Sequence, residues 1–208
     1  MNKIIFIDIA GTGTNPDKCA IYRLGGIVTY DGVEQERFEI RVRPYPNARI
    51  SEQSLWIGGE TRSSLVRYPK EEDALKSFIE ILDRHIEVHN PNDKAYLAGF
   101  NASGLDIPFL RGLFLRNGNN SFRHYFYVQI LDVMTMSALY LMNKRPYMQD
   151  FHLETAAKHM GISCPYGESY DSIQNAATSL RIYRKLTEEF GIGKCWETTQ
   201  TEKVTRNF

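Results

Sequence analysis

The chain has 208 residues, 42% hydrophobic and 12% aromatic, enough to bury a sizeable core and too apolar for a disordered chain. Its 25 basic residues balance 25 acidic ones, which excludes a strong non-specific electrostatic grip on nucleic acid but leaves room for a local groove. Three widely spaced cysteines, Cys19, Cys164 and Cys195, exclude a disulfide framework and a paired-thiol metal site.

Lys3 to Gly13 opens the chain with an apolar run, Ile4-Ile5-Phe6-Ile7, that carries Asp8 to its end and closes in a glycine-containing turn. Such a run reads as a buried central strand. A carboxylate there is costly to bury without compensation, so Asp8 is either a metal ligand or a hydrogen-bonded structural acid. Ala20 to Tyr30 is a second strand and Asp31-Gly32 a hairpin signal. Glu36 to Val42 alternates, with Phe38, Ile40 and Val42 facing one way, so the chain opens with a three-stranded antiparallel meander.

Pro44 to Pro69 reads as irregular and carries an exposed-looking Trp56. Glu71 to His89 is an amphipathic helix with Leu75, Phe78, Leu82 and Ile86 at helical spacing. A strand follows at Ala95 to Phe100, then a helix over Asp106 to Arg116 that ends at Asn117-Gly118. Phe122 to Leu131 is a fifth strand or an extended approach to a helix. Helices are expected over Asp132 to Met142, Leu153 to Met160 and Ser172 to Phe190. The pattern is an α/β fold: an antiparallel meander followed by parallel strands in one mixed sheet, flanked by helices. One domain over 1–190 and a polar tail over 191–208 are expected. With no basic-then-apolar leader and no long apolar run, a cytoplasmic protein without a membrane partner is expected.

Asp106 stands early in a helix that follows a strand, as Asp8 stands near the end of another. Two carboxylates so placed can converge on one point, where they repel unless a divalent cation lies between them. That arrangement is the one used in two-metal phosphoryl transfer.

Three segments resemble the ordered motifs of the DEDDh 3'-5' exonucleases, the DnaQ-like and ribonuclease T-like group with a ribonuclease H-like fold. They are Phe6-Ile7-Asp8-Ile9-Ala10-Gly11-Thr12-Gly13, then Gly99-Phe100-Asn101 through Asp106-Ile107-Pro108-Phe109-Leu110, then Tyr170-Asp171-Ser172-Ile173-Gln174-Asn175-Ala176. The resemblance spans roughly residues 3 to 187. It implies a site of four metal-binding acids and a histidine base acting on nucleic-acid 3' ends. Asp8 and Asp106 match two of the acids and are the implied metal ligands. The glutamate of the first motif is Ala10, the last acid is Asn175, the histidine is Tyr170, and Gly11 replaces the usual threonine.

Ala10 offers a metal no oxygen, and Asn175 offers a carbonyl without charge. A tyrosine, with pKa near 10, accepts a proton from water far less readily than a histidine near 6.5. The resemblance thus implies catalytic positions at Asp8, Asp106, Tyr170 and Asn175, with Ala10 degenerate, and makes Gly11, Thr12 and Asn101 candidate substrate contacts. The expected cofactor is Mg²⁺ or Mn²⁺, bound weakly as at most one ion or not at all.

The leading expectation is an exonuclease-like protein, catalytically impaired, that binds or acts on a single-stranded DNA or RNA 3' end. One alternative is an active metal-dependent exonuclease whose site is rebuilt with Asp171, Glu168 or substrate phosphate. Another is an inactive partner of a nuclease, or a homodimer. Trp56, Phe100 and Phe109 are candidate stacking residues with core packing as the competing role. Arg111, Arg116, Arg123, Lys144 and Arg145 are candidate phosphate contacts, and the five histidines lie outside the motifs.

Overall fold

A computed structural model describes residues 1–164 and 170–192; Glu168, Cys195 and the tail from Gly193 onwards lie outside them. Five strands form one mixed sheet in the order β3-β2-β1-β4-β5. They are β1 (Lys3–Gly11), β2 (Ile21–Tyr30), β3 (Val33–Arg41), β4 (Ala95–Gly99) and β5 (Phe126–Asp132). β1–β2 and β2–β3 pair antiparallel, while β1–β4 and β4–β5 pair parallel. This is the α/β, ribonuclease H-like sheet that the motifs imply.

The meander follows from local chemistry. Asp31 (φ 47°) and Gly32 (φ 77°) both adopt left-handed backbone, as a two-residue hairpin turn between twisted strands requires. Phe38, Ile40 and Val42 are buried, as their alternation dictates. Strand β1 is covered on both faces. Its odd residues, Ile5, Ile7 and Ile9, enter one core with α3 (Glu71–His85) and α4 (Asp106–Arg116). Ile4 and Phe6 enter a second core with α6 (Val133–Tyr140), α7 (Leu153–His159) and α8 (Ser172–Glu189). Each fully buried Ile or Phe of this central strand contributes about 1.5–3 kcal/mol.

Three sequence readings are corrected. Pro44 to Pro69 is not wholly irregular: it holds α1 (Glu52–Ile57) and α2 (Arg62–Leu65). Ser51 caps the first through the Ser54 N–H, and Thr61 and Ser64 form a capping box on the second. Each helix buries a single leucine, Leu55 or Leu65, too little to produce a helical repeat in the sequence. Helix α3 stops at His85 rather than His89, because Ile86 (φ −131°, ψ 123°) turns extended and buries its side chain. The segment from Phe122 begins with a helical turn, α5 (Phe122–Tyr125), before β5.

The parallel strands β1, β4 and β5 end on the same side of the sheet, at Gly11, Gly99 and Asp132. Loops that follow such ends are where open α/β sheets place their ligands. No described helix is long and apolar enough to cross a membrane.

Candidate active site

Strand periodicity puts Asp8 on the same face as Ile4 and Phe6, under the beginning of α8. Its ladder partner is Gly25. A Cβ at Gly25 would lie 2.3 Å from Ser172 Oγ, so the missing side chain lets α8 close over the strand at this point.

The first turn of α8 and the residue just before its N-cap bring two polar groups onto the acid. The Tyr170 hydroxyl donates to Asp8 Oδ2, and Asn175 Nδ2 donates to the same oxygen at 3.3 Å. Asp171, the residue offered as a rebuilt ligand, is the N-cap of α8; its Oδ1 accepts from the N–H groups of Ile173 (2.9 Å) and Gln174 (3.0 Å). A cap of this kind stabilises a helix by about 1 kcal/mol, which gives this carboxylate a structural role.

Asp106, the first residue of α4, is buried, and its Oδ1 accepts the Ile9 N–H at 2.7 Å. The bond ties the end of β1 to the start of α4 and brings the two acids into one electrostatic unit. Burial pushes the Asp8 carboxyl up to about 7, against the opposing pull of the Tyr170 and Asn175 hydrogen bonds. Burial and the Asp8 charge push Asp106 well above the usual carboxylate range. Burial, with Asp8 beside it, also drives the Tyr170 hydroxyl well above 10, so at neutral pH it is a donor and no base.

The remaining sequence candidates divide. Ala10 is buried in a small cluster with Tyr22, Leu55 and Leu65, against which Tyr170, Ile50 and Tyr68 pack. Its ladder partner on β2 is Arg23, so residue 10 stands between these apolar groups and a guanidinium. Thr12 spends its polar groups inside the protein: its N–H donates to Ala20 O (2.8 Å), its hydroxyl to Arg49 O (2.5 Å), and its carbonyl accepts from Ser51 N (2.8 Å). Gly11 stands in the bulge after Ala10, and a Cβ there would lie 3.1 Å from Gly13 O. Asn101 is exposed, with left-handed backbone (φ 62°), at the turn leading into α4. Phe109 is a core residue; Phe100 is half-buried and stacks on Phe151; Trp56 is 81% exposed. Arg116 is paired with Glu71 at 2.7 Å.

Sequence reasoning missed Arg23 and Glu60. Arg23, nearly fully buried, donates from Nη1 to Tyr170 O (2.7 Å) and from Nη2 to Glu60 Oε1 (2.8 Å) and Gly58 O (3.3 Å). Glu60 also accepts from Arg41 (2.6 Å), Ser64 (2.6 Å) and Tyr68 (2.7 Å). An arginine in an otherwise apolar strand was the available signal, since a buried charge needs partners.

The donor set does not fit a pair of divalent ions. One Asp8 oxygen is engaged twice, one Asp106 oxygen holds the Ile9 N–H, and residue 10 has no oxygen to give. Among the described residues no group of three or more His, Cys, Asp or Glu side chains converges to hold an ion. Asp8 and Asp106, with Asn175, are the residues that would face a single cation.

Residues 5–163 match the family model described as RNase_T, exonuclease. Among solved structures, the chain is similar to E. coli exonuclease I in complex with a dT13 oligonucleotide (18% identity, TM-score 0.70, covering 90% of this chain and 41% of that one). It is also similar to a product-bound exonuclease I (15%, TM-score 0.72, 95% and 46%). The moderately thermophilic exonuclease I from Methylocaldum szegediense is a further neighbour (16%, TM-score 0.70, 90% and 41%). At these identities the likeness is one of fold, and the chain spans less than half the length of those proteins. No curated protein matches it by sequence. With the family model covering most of the chain and the sheet and motifs in agreement, the chain belongs to the RNase T exonuclease family.

Proposed function

We propose that this protein binds single-stranded nucleic-acid 3' ends on an exonuclease fold and hydrolyses them inefficiently or not at all. The observation that carries the reading is the capped acid: the Tyr170 hydroxyl is bonded to Asp8 where a base and a metal ion would otherwise work. Hydrolysis needs an activated water and positive charge at the phosphate. Tyr170 holds its proton, Ala10 supplies no ligand, and burial raises the proton affinity of both Asp8 and Asp106. At most one Mg²⁺ or Mn²⁺ would sit between Asp8 and Asp106, weakly, because two carboxylates with raised proton affinity compete poorly for a dication.

Binding has separate support. Next to the site, α1 and α2 enclose an open depression of about 580 Å³ lined by Glu52, Trp56, Glu60, Thr61, Arg62 and Ser63. The exposed Trp56 ring is available to stack on a base, which is sequence-tolerant and worth about 1–3 kcal/mol per base. E. coli exonuclease I binds dT13 and dA16 oligonucleotides, which is consistent with such a groove.

The test uses end-labelled single-stranded DNA and RNA, with Mg²⁺ and with Mn²⁺. The natural chain should bind at low salt and leave the 3' end intact. Trp56→Ala should weaken binding about tenfold, the lower half of the stacking range, with the fold unchanged by circular dichroism. Turnover at an ordinary enzymatic rate that disappears in Asp8→Ala would sink the reading in favour of a rebuilt exonuclease. Absence of binding at low salt would favour a protein-interaction role.

A further inference from the structure

We infer that Arg23 has taken over the positive charge that divalent ions bring to a four-acid site, and that it bars those ions even when the missing acids are restored. The inference rests on the impaired-site reading and names the residue that enforces it.

Arg23 is the ladder partner of Ala10 across β1 and β2, next to the bulge at Ala10 and Gly11. Directly opposed residues of an antiparallel pair share a face, with Cβ atoms about 4.5–5.5 Å apart. A glutamate at position 10 would therefore grow toward a guanidinium that is already fixed. Three of that group's contacts hold it there: Tyr170 O, Gly58 O and Glu60 Oε1. Its planar carbon lies 5.9 Å from the Tyr170 ring centroid, on the residue that caps Asp8.

One donor is left over. Arg23 Nε is buried and has no hydrogen-bond partner among the described residues. Buried donors are rarely left unpaired, because an unpaired one has given up its hydration with nothing in return. A carboxylate at position 10 is placed to fill that vacancy, making a charge-assisted bond to Nε. Such a carboxylate would be neutralised by Arg23 and withdrawn from metal binding. Nearby cations also repel a dication directly, and the guanidinium charge already acts on Asp8. Glu60 does not release Arg23 from this role, because its Oε1 is shared with Arg41.

The experiment titrates Mn²⁺ at pH 8, with free ion read by electron paramagnetic resonance. It compares the triple variant Ala10→Glu, Tyr170→His, Asn175→Asp with the same variant carrying Arg23→Gln or Arg23→Lys. Mn²⁺ should bind roughly tenfold or more tightly once Arg23 is Gln, while Arg23→Lys should leave binding as weak as Arg23 does. Equal affinity with Arg23 and Gln, or a Lys variant that behaves like Gln, would overturn the assignment.

Should Arg23→Gln fail to fold, the folded triple variant decides alone. Two Mn²⁺ ions bound at about micromolar concentration with Arg23 in place would overturn the inference, and weak binding by one ion or none would uphold it. The exonuclease assay on the natural chain is independent of this comparison. Turnover there defeats the impaired-site reading, whereas equal Mn²⁺ affinities defeat only the role given to Arg23.

Discussion

Conformational stability should fall as pH rises from about 4 to about 7, and the Asp8 share of the fall, on the order of 4 kcal/mol, should disappear in Asp8→Asn. The Asp8 carboxyl rises from 3.8 to about 7 in the folded chain, chiefly through burial. A raised pKa means that the folded state binds the proton more tightly than the unfolded state does. The stabilisation is therefore complete below the unfolded value and is lost as pH climbs through the folded one. This is the reverse of an ion-paired aspartate, which stabilises at neutral pH and fails in acid. Asp106, also raised, acts in the same direction, and the two titrate as a pair.

Asn at position 8 is a neutral isostere whose amide oxygen can accept from both Tyr170 and Asn175, so the folded geometry should persist. Urea unfolding at several pH values checks the expectation. The natural chain should be less stable at pH 8 than at pH 5, Asp8→Asn should be more stable than the natural chain at pH 8, and millimolar Mg²⁺ should restore little. A natural chain equally stable at both pH values would mean that Asp8 is ionised throughout and compensated by something other than Tyr170 and Asn175.

The elements that sequence made legible are those whose chemistry is local. The Ile4 to Ile7 run predicts a strand buried on two faces because nothing polar interrupts it. Asp31-Gly32 predicts a turn because those residues tolerate positive φ. Tyr170 and Asn175 are singled out only through the resemblance to the third motif; in the structure both side chains meet on Asp8 Oδ2, because the start of α8 lies over β1.

What stayed hidden depends on contacts far apart in the chain. Arg23 and Tyr170 are separated by 147 positions, and no local pattern announces that one holds the other. Asp171 looked like a spare ligand until the backbone direction at the start of α8 made it a cap. Thr12 looked like a contact residue on a turn, but the loop from Arg49 to Ser51 returns to consume its hydroxyl and carbonyl. Helices α1 and α2 were missed because six and four residues bury one leucine each, so their signal lay in caps rather than in periodicity.

Removing Glu60 should destabilise the chain more than any surface ion pair. Its side chain is 6% exposed, and it binds Arg23 and Arg41 together with the hydroxyls of Ser64 and Tyr68. Burial alone would raise its pKa, but the Ser64, Tyr68 and Arg23 hydrogen bonds more than offset that and hold it below the usual range. Breaking a buried pair by deleting one partner costs about 3–5 kcal/mol, because the other charge is left without compensation. Glu60→Leu should therefore lower the unfolding free energy by about that much in urea titration at pH 7. Replacing both charges is a different experiment. Arg23→Met in the Glu60→Leu background removes the stranded guanidinium, so the double variant should regain part of the loss, as buried pairs replaced by apolar groups commonly do. Additive losses would mean that Arg23 is held by Tyr170 O and Gly58 O alone, with Glu60 serving only Arg41. The sign of that coupling decides whether α2 is fastened to the active site through a charge or merely packed beside it.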